Sequence, residues 1–356
     1  MKNIYLKILL GSLLTLSLFE GHTQDIPASA DGDSSNFNFV PVPYLNYSRS
    51  TGLAVGALPM AMYKLNPADT ISPSSIAGLL GTYSTNDTWF AMVFSKFYFN
   101  EDKWRATAAA GYGNINFQFY VASPIDKYVG YNTGAKFLFV ELQRKVVDKL
   151  YFGVNYVRSS FDTSFDIGIP AEINVNLQGL GTILSYDRRD SVYYPRKGLL
   201  AEIKFNSFPE FFGNEFISSN VEIELNKFFP IKQGRDVVAA RLYGGFGIGD
   251  LSFNQQFIIG RTDIRGYTQG DYRGDQMVAM QAEYRWNFHK KLGAVGFFGL
   301  ATVFNGINSE DDGKILPGAG AGFRYMIFPK NHMNVGIDIA VGNGDWGTYF
   351  KIGEAF

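Results

Sequence analysis

Cysteine is absent from the 356-residue chain, which removes thiol catalysis, thiolate-held zinc, iron–sulfur clusters, disulfides and lipidation of an N-terminal cysteine. An excess of either charge is absent too, with 32 Lys plus Arg against 33 Asp plus Glu. Binding to a phosphate backbone needs a basic excess or stripe, so nucleic acid is excluded as a partner. Charged residues make up only 18% of the chain, below the roughly one quarter usual in soluble proteins. Histidine is scarcer still, with three. His289 and His332 fall in expected turns, away from any Ser or carboxylate constellation, so no enzyme, metal site or cofactor is expected. The Gly245-x-Gly247-x-Gly249 run has no helix after it to bind a phosphate. Long hydrophobic runs are missing as well. The longest uncharged interior stretch, Leu292 to Ser309, is broken by Gly293, Gly296, Gly299 and Gly306 and reads as strand plus loop.

What the chain has is aromatic residues at 16% and 39 glycines, a composition rich in strand formers and poor in helix formers. Lys2 and Lys7 flank a start that runs into apolar Ile8 to Phe19, 12 residues long. That is too short to span a bilayer and suits a secretory signal core. Residues 1–23 are therefore expected to be a cleaved signal peptide and 24–36 a short periplasmic segment. From 37 to 356 no linker, charge block or low-complexity run interrupts the chain, which predicts one domain near the upper limit of a single soluble core. A closed barrel escapes that limit.

Period-two alternation recurs along this domain. Met280, Ala282, Tyr284, Trp286 and Phe288 fall on one face, and Gln281, Glu283, Arg285 and Asn287 on the other. The same split separates Ile203 from Glu202 and Lys204, Ile223 from Glu222 and Glu224, and Ile337 and Ile339 from Asp338. Alternation alone fits a soluble sandwich or a membrane barrel. About 16 strands of roughly 10 to 15 residues exceed the length usual in globular sheets and suit a tilted barrel wall. Connections at 187–198, 230–235, 289–292 and 329–332 read as tight periplasmic turns; those at 161–172, 249–274 and 305–314 read as longer extracellular loops. The fold expected is all-β, a transmembrane antiparallel β-barrel of about 16 strands in the outer membrane of a Gram-negative bacterium.

From Tyr186 to Phe356 the chain resembles the BamA/TamA outer-membrane assembly family, the bacterial surface antigen family. The matching pieces are Asp187-Arg188-Arg189-Asp190 with Pro195-Arg196-Lys197-Gly198, Phe228-Phe229-Pro230, Ile264-Arg265-Gly266-Tyr267, Glu283-Tyr284-Arg285, Gly320-Ala321-Gly322-Phe323-Arg324 and Ile352-Gly353-Glu354-Ala355-Phe356. The resemblance implies that the loop 249–274, which carries Ile264, Arg265, Gly266 and Tyr267, folds back into the lumen. Two departures are visible. The 13 residues Gln24 to Asn36 cannot encode the POTRA domains that family members usually carry before the barrel. An acidic residue of the family pattern is replaced by Gly299-Leu300-Ala301.

An arginine in a narrow lumen must find carboxylates, because its fork of five donors stays charged. Strand parity turns Asp338, Glu283 and Arg324 inward, and they are the candidate latch partners of Arg265. Gly320, Gly322 and Gly336 leave room on that wall. The last strand carries Asp345, Gly347, Phe350 and Ile352 in a pattern resembling the recognition signal of barrel clients, with Phe356 ending the chain. The resemblance implies assistance in inserting or translocating proteins, or lipids, at the outer membrane. Outer-membrane lipid and unfolded barrel or translocated client proteins would then be the partners. The residues alone leave a passive pore and a surface scaffold or antigen open, and leave the oligomeric state unassigned.

Overall fold

Alternating residues can hydrogen-bond a backbone only through neighbouring strands, and a bilayer offers no water to edges left over, so the sheet must come nearly full circle. The computed structural model describes residues 37–49, 51–121, 126–166, 170–260, 263–269 and 271–356. The expected signal peptide (1–23) and periplasmic segment (24–36) lie outside the described residues.

The strands are β1 (Phe37–Ser48), β2 (Gly52–Tyr63), β3 (Ser75–Ser84), β4 (Trp89–Phe99), β5 (Trp104–Val121), β6 (Lys127–Val147), β7 (Leu150–Asp166), β8 (Pro170–Asp187), β9 (Gly198–Phe208), β10 (Ser218–Ile231) and β11 (Asp236–Gly249), followed by β12 (Phe257–Ile258), β13 (Arg273–Gly274), β14 (Gln276–Asn287), β15 (Leu292–Phe304), β16 (Leu316–Phe328), β17 (Met333–Val341) and β18 (Trp346–Ile352). Among the described residues, sixteen form one sheet in sequence order from β1 to β18, while β12 and β13 pair with each other as a ribbon inside the long loop. Neighbours are antiparallel throughout, which gives an up-and-down, nearly closed barrel.

The alternation decides what faces outward. On β17 Ile337 and Ile339 are 45% and 59% exposed, whereas Asp338 between them is fully buried. On β14 Met280 and Trp286 point out and Gln281, Glu283 and Arg285 are buried. The exposed apolar residues form the band that meets lipid, and the interior is a set of small apolar clusters separated by charged networks.

Wall strands run from 7 residues in β18 to 21 in β6, a wider range than alternation suggests. The expected loop at 161–172 is a correction. Pairing of β7 with β8 continues to Asp166 and Pro170. The signal was lost because outward positions there turn polar, with Asp162 opposite Asn174 and Ser164 opposite Glu172; a strand that rises out of lipid is wet on its outer face and loses its apolar period while keeping its ladder.

The 188–197 connection, read as a tight turn, is a ten-residue segment that folds into the periplasmic mouth. Asp187 anchors it by accepting from Arg105 of β5 (2.8 Å) and Arg189 (2.9 Å). Tyr193 donates to the carbonyl of Ser74 in the β2–β3 turn. Tyr194 is buried with Phe228, Val237 and Ala239, and its hydroxyl accepts from Asn287 (2.7 Å). The chain also leaves the wall at its end. β18 stops at Ile352, Gly353 takes φ +75°, and residues 353–356 turn inward.

A closed strand network resists detergent until it is boiled. Unboiled protein should migrate differently from boiled protein on a gel and give a β-dominated circular dichroism spectrum. Identical migration with a helical spectrum would contradict the fold.

Candidate functional site

The loop between β11 and β14 begins with a capping box, in which Ser252 and Gln255 satisfy each other's backbone groups. It then packs Ile259, Ile264 and Tyr267 against Tyr243, Met277, Ala279, Ala301, Val303 and Leu316 from the wall. Ile264 and Tyr267 are 1% and 2% exposed. Burying two such side chains on the order of 1.5–3 kcal/mol each favours an inward loop. Polar contacts fix its register. Tyr267 donates to Pro317 O (2.6 Å), Gly266 N–H donates to the Tyr349 hydroxyl (2.8 Å), and Thr268 N–H donates to Asp345.

Gly266 has φ +113°, and a Cβ there would collide with the backbone of Val341 and Gly342. Only glycine meets both conditions, so the turn before Tyr267 can press onto the β17–β18 end of the wall.

Arg265 enters a closed ring of six buried charges in which cations and anions alternate. Its Nη2 lies 2.9 Å from Glu283, whose other oxygen lies 2.9 Å from Arg285 Nε. Arg285 Nε is 3.8 Å from Glu354, and Glu354 is 3.0 Å from Arg324 Nε. Arg324 pairs with Asp338, and Asp338 pairs with Arg265, which closes the circuit. Every side chain is 3% exposed or less. Three cations against three anions leave no net charge, and each carboxylate meets two guanidinium groups; this balance is what makes a buried ion cluster tolerable. Phe297 of β15 lies under the Arg265 guanidinium, 3.3 Å from ring centroid to Cζ.

The ring draws together Arg265 from the loop, Glu283 and Arg285 from β14, Arg324 from β16, Asp338 from β17 and Glu354 from the tail after β18. Sequence reasoning named Arg265, Glu283, Arg324 and Asp338 as a group and missed Arg285 and Glu354. Arg285 shares the inward parity of Glu283, so its signal was present. Glu354 had none, because it sits past the end of β18. The wall glycines serve the ring more than the loop: a Cβ on Gly322 would strike Asp338, one on Gly336 would strike Arg324, and Gly318 is the position that lies against Arg265 and Ile264.

The last-strand residues take separate roles. Asp345 sits in the turn before β18, receives Thr268 N–H and lies 3.5 Å from Arg49. Gly347 lies opposite Ala340 on the inner face. The Phe350 ring meets Tyr44 edge-on at 5.2 Å, and Ile352 packs beside Val42 and Met333. Phe356 packs with Tyr194 and Phe228, and its backbone oxygen accepts from Arg285 (2.8 Å).

Between β1 and β18 no backbone ladder forms among the described residues. One hydroxyl does the bridging: Thr348 Oγ1 accepts from Tyr47 N–H (2.9 Å) and donates to Tyr47 O (3.1 Å), and the Tyr47 and Trp346 rings stack at 5.2 Å. Tyr47 thus points its backbone groups at the seam, and so, by the two-residue repeat, do Leu45, Pro43 and Pro41. The two prolines have no N–H to give. Pro41 and Pro43 therefore remove two of the donors that would zip β1 to β18.

A family model described as the Omp85 superfamily domain matches residues 75–356. BamA from Haemophilus ducreyi lacking POTRA domains 1–3 is similar in fold, with a TM-score of 0.58 at 13% identity over 90% of this chain and 71% of that one. CdiB from Acinetobacter baumannii gives 0.59 at 15% identity over 89% and 60%. CdiB from Escherichia coli gives 0.62 at 9% identity over 89% and 63%. The chain thus spans 60–63% of the two CdiB structures. No curated protein sequence matches it.

Removing one partner of a buried ion cluster costs about 3–5 kcal/mol, because the charges left behind are uncompensated. Arg265→Ala should therefore lower the thermal midpoint and open residues 250–275 to external protease, and Asp338→Asn should do the same; wild-type protection in both variants would show that the ring does not hold the loop. Asp271 in the same loop gives a pH signature. Burial, reinforced by the charge of Asp345 and opposed by Arg49, pushes its carboxyl up to about 7. A carboxyl raised above its unfolded value of 3.8 lends the packed loop stability that is complete below about pH 4 and lost as the pH climbs through about 7. Protease should cut the loop faster at pH 8 than at pH 5, and Asp271→Asn should flatten that difference.

Proposed function

We propose that this chain, which belongs to the Omp85 superfamily of outer-membrane barrels, assists the insertion or translocation of client polypeptides by offering them a strand edge at the β1–β18 seam. The superfamily's barrels are non-enzymatic assembly and transport proteins of the Gram-negative outer membrane. The observation that carries the reading is the seam without a ladder. Among the described residues, fifteen junctions of the wall carry a backbone ladder, and the sixteenth rests on Thr348 and stacked rings. Unpaired backbone groups in lipid cost several kcal/mol each, so an edge of this kind is a template for an added strand.

The prolines give the seam a direction. The contacts of Tyr47, Arg49, Asp345 and Thr348 gather at its extracellular end, whereas Pro41 and Pro43 lie toward the periplasm. A client strand arriving from the periplasm meets the weaker half first. A passive pore draws less support, because the loop fills one part of the lumen and the 188–197 segment crosses the mouth.

A covalent lock tests this reading. The chain has no native Cys, so Tyr47→Cys with Thr348→Cys, or with Trp346→Cys as the alternative register, would introduce the only thiols. The oxidised pair should abolish client insertion in proteoliposomes and the reduced pair should restore it. Undiminished insertion by the locked barrel would overturn the seam as the working edge.

A further inference from the structure

Four periplasmic turns carry a charge imbalance that the chain as a whole lacks. Residues 188–197, 232–235, 288–291 and 329–332 hold nine Lys or Arg and one Asp. That Asp is already engaged: Asp190 accepts from the backbone N–H groups of Arg196 (2.9 Å) and Lys197 (3.2 Å) and so shapes its own turn. The nearest other carboxylates are spent too. Asp187 is held by Arg105 and Arg189, and fully buried Asp236 is shared by Lys232 (2.8 Å), the Tyr284 hydroxyl (2.9 Å) and Arg235 (3.4 Å).

These turns converge on one cavity of about 540 Å3, lined by Arg196, Arg235, His289, Lys290 and His332 around Phe288, with no carboxylate in its wall. The cations come from three different turns, so the cavity is assembled by the fold and is not a run of neighbouring lysines. Its field is felt locally: burial and the charge of Arg196 lower the pKa of His332. Phe288 joins the cavity to the outer wall, because its ring lies 5.1 Å from that of Trp286, and Trp286, Phe288 and Tyr325 are 46%, 44% and 44% exposed there.

We propose that this cavity binds the phosphate of an anionic phospholipid of the inner leaflet, whose acyl chains lie on the adjoining Trp286 and Tyr325. Arg196 and Arg235 present paired N–H donors to the phosphate oxygens, and Lys290 adds a point charge. The apolar wall continuous with the cavity favours a lipid over an acidic polypeptide, which would need no such surface, and over free phosphate, which has no chains to place. The motif Pro195-Arg196-Lys197-Gly198 thereby gains a role that the seam does not use.

The test uses the intact barrel in a neutral detergent, with native mass spectrometry to count retained lipids. Phosphatidylglycerol should be retained in preference to phosphatidylcholine of the same chains. Loss of about fivefold per cation removed predicts a fall on the order of a hundredfold for Arg196→Gln, Arg235→Gln, Lys290→Gln together. Unboiled gel migration reports whether the triple variant folds, and the single variant Lys290→Gln, together with the wild-type headgroup preference, supplies the answer if it does not. Equal retention of the two lipids, or unchanged retention by a folded variant, overturns the proposal. So does full displacement by inorganic phosphate in millimolar amounts, which would make the site one for free phosphate, or protection from thermal unfolding by oligoglutamate and not by phosphatidylglycerol, which would make it a protein-docking surface.

Discussion

A bilayer gives no hydrogen bonds to a backbone, and the architecture of this chain follows from that deprivation. Each strand must find a neighbour on both sides, so the wall grows strand by strand in sequence order until the first meets the last. Among the described residues, the rule is relaxed at one junction, where β1 and β18 form no ladder. β1 arrives at that junction with Pro41 and Pro43 facing β18, and β18 is the shortest wall strand at 7 residues. A single threonine hydroxyl and stacked aromatic rings take over where a ladder would otherwise run.

The charge ring answers a different constraint. A loop of some 25 residues drawn into a narrow barrel brings a permanently charged arginine with it, and the wall must neutralise that charge without water. Alternating three guanidinium groups with three carboxylates does so at zero net charge, and it binds the loop to the tail that follows the seam strand through Arg265, Asp338, Arg324 and Glu354. The extracellular loop and the end of the wall are therefore held by one network. A strand that displaced β18 would pull on the same carboxylate that completes the ring.

The two ends of the barrel differ in kind. The extracellular loop is held by apolar packing and its arginine, whereas the periplasmic segment 188–197 is held by Asp187 and by tyrosines that reach Ser74 on one side and Asn287 on the other. Holding that segment in place engages Asp187 and Asp190 and leaves Arg196 lining a cavity whose wall carries no carboxylate.

Several features could be read before any coordinates. Period-two alternation gave the shared faces of β9, β10, β14, β16 and β17 and the placement of Glu283, Arg324 and Asp338 on one side of the wall, because parity along a strand is a local property of the backbone. The order and antiparallel sense of the wall followed from the alternation of turns. Reading failed where local pattern stops reporting environment: at the polar outer ends of β7 and β8, at the inward-folded 188–197 segment, and past Ile352, where Glu354 leaves the strand. Sequence alone thus determined which residues of β9, β10, β14, β16 and β17 share a face. Only the tertiary structure decided which inward charges touch, that Arg285 and Glu354 complete the ring, and that the seam is bridged at Tyr47, because such contacts depend on the register and curvature with which distant strands come around to meet.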